Sequence, residues 1–177
     1  MSTQSMVRNA LAVPGMEARV DTRPVAAVAA TSALGRTDVS AYELVPNAVK
    51  YIKSADTQLG LALTASDGFD RFSHAHFAAL RLAGAVVESV VGAKRVRRVE
   101  GFWERFARVA PELALWAVIF EEGAQVRAAM ESGRLDTISR SDSEYWLNQT
   151  REFRVKVLQS FGIDPLTNFS LSYDRVA

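Results

Sequence analysis

Apolar residues in this chain recur every three or four positions in successive stretches between about residue 45 and residue 161, the period of helices that each bury one face. No strand-type alternation of useful length competes with it, so the pattern predicts an all-α bundle of four to five helices. Pro46 suits the first turn of a helix running to about Ala65, with Ile52, Leu59 and Leu63 at helical spacing and a breaker cluster of Ser66, Asp67 and Gly68 behind it. A second helix, from about Asp70 to Val91, sets Phe72, Ala75, His76, Ala79, Leu80, Ala83, Val86, Val87 and Val90 on one broad face. His74, Arg81 and Glu88 fall on the other side. So many small residues on a buried face predict close approach of the neighbouring axes, which makes this the central helix.

A short third helix, about Glu100 to Val109, carries Phe102, Trp103 and Phe106, and Pro111 opens a fourth. The fourth has two apolar stripes on nearly opposite sides: Leu113, Trp116, Ala117, Phe120 and Ala124, then Leu115, Ile119, Val126 and Met130. A helix apolar on two sides is covered either by its own bundle or across a dimer interface. The fifth helix starts near Ser139, with Asp142 three positions later as a weak capping box. Trp146, Thr150, Phe153, Val157 and Phe161 line one face until Gly162 ends it. Residues 1–42 mix Ser, Thr, Ala, Pro and Gly with a single aromatic, Tyr42, and read as a disordered tail, with partner-induced folding as the functional alternative. Residues 43–161 form the bundle and 162–177 a loosely docked C-terminal tail.

Composition narrows the picture. With 177 residues, 49% of them hydrophobic, the chain can bury one substantial core but is short for two. It has no cysteine, which removes disulfides, thiol nucleophiles and thiolate metal sites, and suits a reducing cytoplasm. A formal charge of +1 provides no global attraction to nucleic acid or membrane, so any electrostatic function rests on a local patch. The longest weakly apolar run, Pro24 to Gly35, is too short to span a bilayer. A cytoplasmic protein without a membrane partner is the expectation. Phosphate-binding glycine loops, dinucleotide fingerprints and serine elbows do not occur. Glu121 and Glu122 point apart on a helix, and His74 and His76 lack a carboxylate at ligand spacing, so neither a metal nor a cofactor is expected. Glu121, Glu122, Arg127 and Glu131 read as surface pairs at helical spacing.

Two groups carry candidate chemistry. Arg71 and His76 bracket the start of the second helix, and Lys94, Arg95, Arg97 and Arg98 place four cations within five residues of the connection that follows it. The basic run could grip phosphates, with Phe102 and Trp103 near enough to stack on a base, or could be a solvated loop complementing the end of the preceding helix. Taken with the alanine-rich helix before it and the stretch Phe102 to Phe120 after it, this arrangement resembles a bacterial branch of the HEPN superfamily, the small helical domains named for higher eukaryotes and prokaryotes nucleotide-binding. The resemblance runs from about Val45 to Phe161. It implies a HEPN-like bundle, a homodimer, and RNA or nucleotide as ligand.

Many HEPN proteins are metal-independent ribonucleases, and their signature is an arginine followed after four to six residues by a histidine. Arg71 and His76 meet that spacing. The resemblance then implies a composite site at a dimer cleft, with His76 moving protons and Arg71 stabilising charge on phosphorus. In the superfamily the signature sits nearer the last core helix, whereas here it opens the second. Residues five apart on a helix differ by about 140° in direction, and His76 falls near the middle of the apolar face. The competing reading is therefore a buried, hydrogen-bonded core histidine, and a catalytically silent module that binds a protein partner through the two-sided fourth helix. A helical DNA-binding regulator is the third class, for which no helix-turn-helix with an exposed recognition helix stands out.

Overall fold

The computed structural model describes residues 40–92 and 101–167. The chain divides into two units, Met1–Thr37 and Asp38–Ala177, and every described residue lies in the second. That unit is all-α among its described residues: α1 (Pro46–Thr64), α2 (Gly68–Val91), α3 (Phe102–Val109), a single 3-10 turn (Pro111–Leu113), α4 (Ala114–Glu131) and α5 (Arg140–Ser160). No helix among the described residues is long and apolar enough to cross a membrane.

Local chemistry sets the helix ends. Pro46 occupies the first turn of α1, where its missing N–H costs nothing. Asp67, part of the expected breaker, caps α2: its carboxylate accepts from the Phe69 and Asp70 amides at 2.8 and 3.0 Å. The Asp70 amide is the main reason the Asp67 carboxyl lies below its ordinary value. Gly68 is required for packing, because a Cβ there would collide with the carbonyl oxygen of Ile138 at the approach to α5. Ser139 caps α5 as expected, accepting from the Asp142 amide at 3.0 Å and donating to the Asp142 carboxylate at 2.7 Å. Gly162, at φ +69°, turns the chain out of α5 in the left-handed region that favours glycine.

The α1–α2 hairpin is the most extensive helix pair, and its seam is built from alanine. On α1 the buried positions Ala48, Ile52, Ala55, Leu59 and Ala62 alternate in steps of four and three, the spacing of a coiled-coil seam. Leu63, expected on that face, is 58% exposed. Between α1 and α5, α2 buries Ala75, Ala78, Ala79, Leu82, Ala83, Ala85 and Val86, a wider arc than its pattern predicts, while Val90 at its end is 44% exposed. The other side of α2 packs on α5. All five predicted positions on α5, Trp146, Thr150, Phe153, Val157 and Phe161, are buried.

Above this alanine layer lies an aromatic one. Phe120 of α4 stands 5.2 Å from Phe153 and 5.3 Å from Trp103, and Phe106 stands 5.7 Å from Phe153. Trp103 is thus a core residue, whereas Phe102 beside it stays 37% exposed. Of the two stripes on α4, the first faces this core. The second divides: Met130 is buried and Ile119 and Val126 are half-buried, but Leu115 is 61% exposed, and so is its neighbour Val118 at 60%. This chain's own bundle therefore covers α4 on one side.

A buried ion pair ties the ends together. Arg154 on α5 grips Asp56 on α1 through two bonds of 2.6 and 2.9 Å. It also donates to the carbonyls of Pro165 and Thr167 at 2.7 and 2.5 Å. At the other margin Tyr42 packs on Phe161, its amide donates to the Ser160 carbonyl at 3.1 Å, and its hydroxyl donates to Glu112.

Candidate functional site

Arg71 and His76 lie on the first turns of α2, and the fold engages both in packing. The Arg71 guanidinium turns back to donate to the Ala65 carbonyl at 2.6 Å and reaches the Ser143 hydroxyl at 3.4 Å. Ser143 is fully buried and itself donates to the Arg140 carbonyl at 2.8 Å. Arg71 thereby links the end of α1 to the first turn of α5, satisfying a carbonyl that the helix leaves open.

His76 is 1% exposed. Its ring stacks on Phe72 at 5.8 Å and lies 6.4 Å from Trp103. Over the imidazole passes Gly123 of α4: a Cβ there would stand 2.9 Å from Nδ1 of His76 and 3.1 Å from Trp146. The glycine is what lets α4 cross the histidine and the tryptophan together. The expected core position holds, but the expected hydrogen bond does not, since neither Nδ1 nor Nε2 has a partner among the described residues. Burial, reinforced by the Arg127 cation, lowers the His76 pKa to about 4. The imidazole is neutral at physiological pH.

Arg127, expected as a surface charge, lies one helical turn beyond Gly123, with its guanidinium 5.7 Å from the Phe77 ring and its Nε buried, 3.6 Å from Glu131. The guanidinium covers an aromatic face that would otherwise be open. His74, on the polar side of α2, bonds Gln58 of α1 at 2.8 Å.

Lys94, Arg95, Arg97 and Arg98 lie outside the described residues, in the connection between α2 and α3. Phe102, at the start of α3, is the exposed aromatic that follows them. Sequence reasoning overlooked Gly123 and Ser143 and placed Arg127 only among the surface pairs. A glycine in the interior of a helix costs about 1 kcal/mol relative to alanine, so Gly123 was itself a signal of a close crossing. Nothing in the local pattern of Ser143 or Arg127 distinguishes them from other surface positions.

These features define a compact helical domain whose central helix carries an arginine–histidine pair on its opening turns. The chain belongs to the HEPN superfamily: the SAV_6107-like HEPN family matches residues 62–158, more than half of its length. The match runs from the last turn of α1 through α2, α3 and α4 and nearly to the end of α5. No curated protein and no solved structure matches the chain significantly.

Proposed function

We propose that this chain is a catalytically silent HEPN module that acts by binding a protein partner. The observation that carries the reading is the state of His76: 1% exposed, and neutral with a pKa of about 4. General acid–base cleavage of RNA needs an imidazole that reaches the 2′-hydroxyl or the leaving oxygen and titrates near the working pH. Here the ring is enclosed by Phe72, Trp103 and Gly123, and Arg71 is committed to Ala65 and Ser143.

The partner surface is the outer face of α4. Leu115 and Val118 present aliphatic side chains there, and the next turn adds the exposed Glu122 on the same face, with the exposed Glu121 at its margin beside Val118. An aliphatic pair beside two acids fits a partner segment that inserts apolar side chains and flanks them with Arg or Lys, while the same acids repel a nucleic-acid backbone.

The test is incubation of the purified protein with labelled structured and single-stranded RNA without divalent metal, alongside folded Arg71→Ala and His76→Ala variants. Intact RNA is the expected result. Cleavage lost in both variants would overturn the silent reading and make the pair catalytic. Salt-sensitive RNA retention that disappears on neutralising Lys94, Arg95, Arg97 and Arg98 would replace the protein partner with RNA. A Leu115→Ser, Val118→Ser double variant that stays folded yet still binds every partner of the natural chain would dismiss the α4 surface.

A further inference from the structure

The chain doubles back after α5. Gly162 turns it out of the helix, and at Pro165 and Thr167 it has returned to Arg154, six residues before the end of α5 at Ser160. Asp164 closes a turn there: its carboxylate accepts from the Leu166 amide and its carbonyl from the Thr167 amide, both at 2.9 Å. Arg154, itself locked by the buried Asp56, holds the Pro165 and Thr167 carbonyls in place. The described residues end at this clamp. We propose that the segment that follows it, Asn168 to Tyr173, docks on its own bundle along the groove between α1 and α5, where it covers Leu63.

The clamp supplies a starting point and a direction. α1 and α5 are antiparallel: Arg71 joins the Ala65 carbonyl after α1 to Ser143 in the first turn of α5, and the far end of α5 meets Tyr42 just before α1. Seven residues make two helical turns. Leu63 therefore shares a side of α1 with Asp56, and Leu147 shares a side of α5 with Arg154. Both leucines stand about 10 Å beyond the ion pair, in the direction in which the returning chain is heading. Leu147 is buried, but Leu63 is 58% exposed although it lies on the side of α1 that carries the link to α5.

The residues after the clamp suit that position. Phe169, Leu171 and Tyr173 alternate with Ser170 and Ser172, so an extended chain carries the apolar side chains on one side and the hydroxyls on the other. At roughly 3.3 Å per residue, Phe169 reaches about 7 Å and Leu171 about 13 Å past Thr167, one on each side of Leu63 at about 10 Å. Tyr173 passes the end of α1. The occupant is the chain's own segment rather than a second copy because Thr167 is fixed beside the groove, and a tether this short gives a local concentration that a separate molecule does not reach. Docking buries Leu63, turns Ser170 and Ser172 outward and clasps the first helix to the last.

The chain has no cysteine, so Ser172→Cys provides a single position for a nitroxide label on the ¹⁵N-labelled full chain. The label should broaden the amide signals of Leu63, Thr64 and Leu147 and leave those of Leu115 and Val118 on α4 sharp. Adding Phe169→Ser and Leu171→Ser to the labelled chain should abolish the broadening with the rest of the spectrum unchanged, and Leu63→Ser, at an exposed position, should do the same. No broadening at Leu63 would overturn the proposal. Broadening that survives the serine variants would also overturn it, because it would report only the tether at Thr167. Broadening carried into an unlabelled ¹⁵N chain by mixing it with nitroxide-labelled protein would assign the groove to a second copy and overturn docking in cis. None of these results depends on whether RNA is cleaved or α4 binds a partner.

Discussion

Mild acid should weaken this domain through His76 before most carboxylates begin to titrate. The imidazole has a pKa of 6.5 when free of the fold and about 4 within it, because the ring is desolvated and faces the Arg127 cation. Between those values the unfolded chain binds a proton that the native chain excludes, so stability is fully present above pH 6.5 and declines as the pH falls. A tenfold difference in proton affinity between the folded and unfolded chain is worth about 1.4 kcal/mol. The loss from this one residue is then about 2 kcal/mol at pH 5 and about 3 kcal/mol at pH 4. That is a large part of the stability of a small domain. Urea unfolding at pH 7.5 and at pH 5 measures it, with His76→Leu as the reference, since leucine fills much of the space, does not titrate and leaves no unpartnered nitrogen. The natural protein should lose about 2 kcal/mol more than the variant between the two pH values. Parallel losses in the two proteins would refute the reasoning. Such a result would mean that solvent reaches the imidazole in the folded state, and it would return His76 to consideration as an acid–base group.

The remaining predictions concern packing. Gly123→Ala should destabilise by about 1–2 kcal/mol despite the better helix propensity of alanine, because the new methyl would press on His76 and Trp146 inside the aromatic layer. Gly60→Ala is the matched control: nothing lies within 4 Å of its Cβ position, so chemical denaturation should show a gain of about 0.5–1 kcal/mol. Asp56→Ala should cost about 3–5 kcal/mol by leaving Arg154 buried without its carboxylate, while Arg140→Ala, which breaks an exposed pair with Glu144, should cost less than about 1 kcal/mol. Equal effects of Asp56→Ala and Arg140→Ala in a thermal or urea melt would contradict the burial of the Asp56–Arg154 pair.

Much of the architecture was legible because helix ends and buried stripes are local. Pro46, Ser139 with Asp142, and Gly162 each act on the nearest turn of backbone, and the α5 face from Trp146 to Phe161 follows from the helical period alone. The α1 face was less legible because bulk misleads there. Leu63 is more apolar than Ala62, yet Ala62 is the residue that enters the seam. A seam between closely approaching helices selects for small side chains and for register, and register depends on the partner helix. The α4 stripes show the same limit: Phe120 and Leu115 look equivalent along the chain, and only the position of α2, α3 and α5 separates the buried one from the exposed one.

The candidate site divides along the same line. Sequence determined that Arg71 and His76 stand five residues apart at the start of a helix, with His76 on its apolar face, because spacing and periodicity are properties of the chain itself. Tertiary structure decided what that spacing is used for. Ser143 meets Arg71 from 72 residues away, Gly123 and Trp103 reach His76 from other helices, and only folding brings these groups together. The burial that lowers the His76 pKa and the Arg127 charge that adds to it both arise where separate helices meet. Desolvation and electrostatic coupling are set by distances through space, which a linear pattern of residues does not encode.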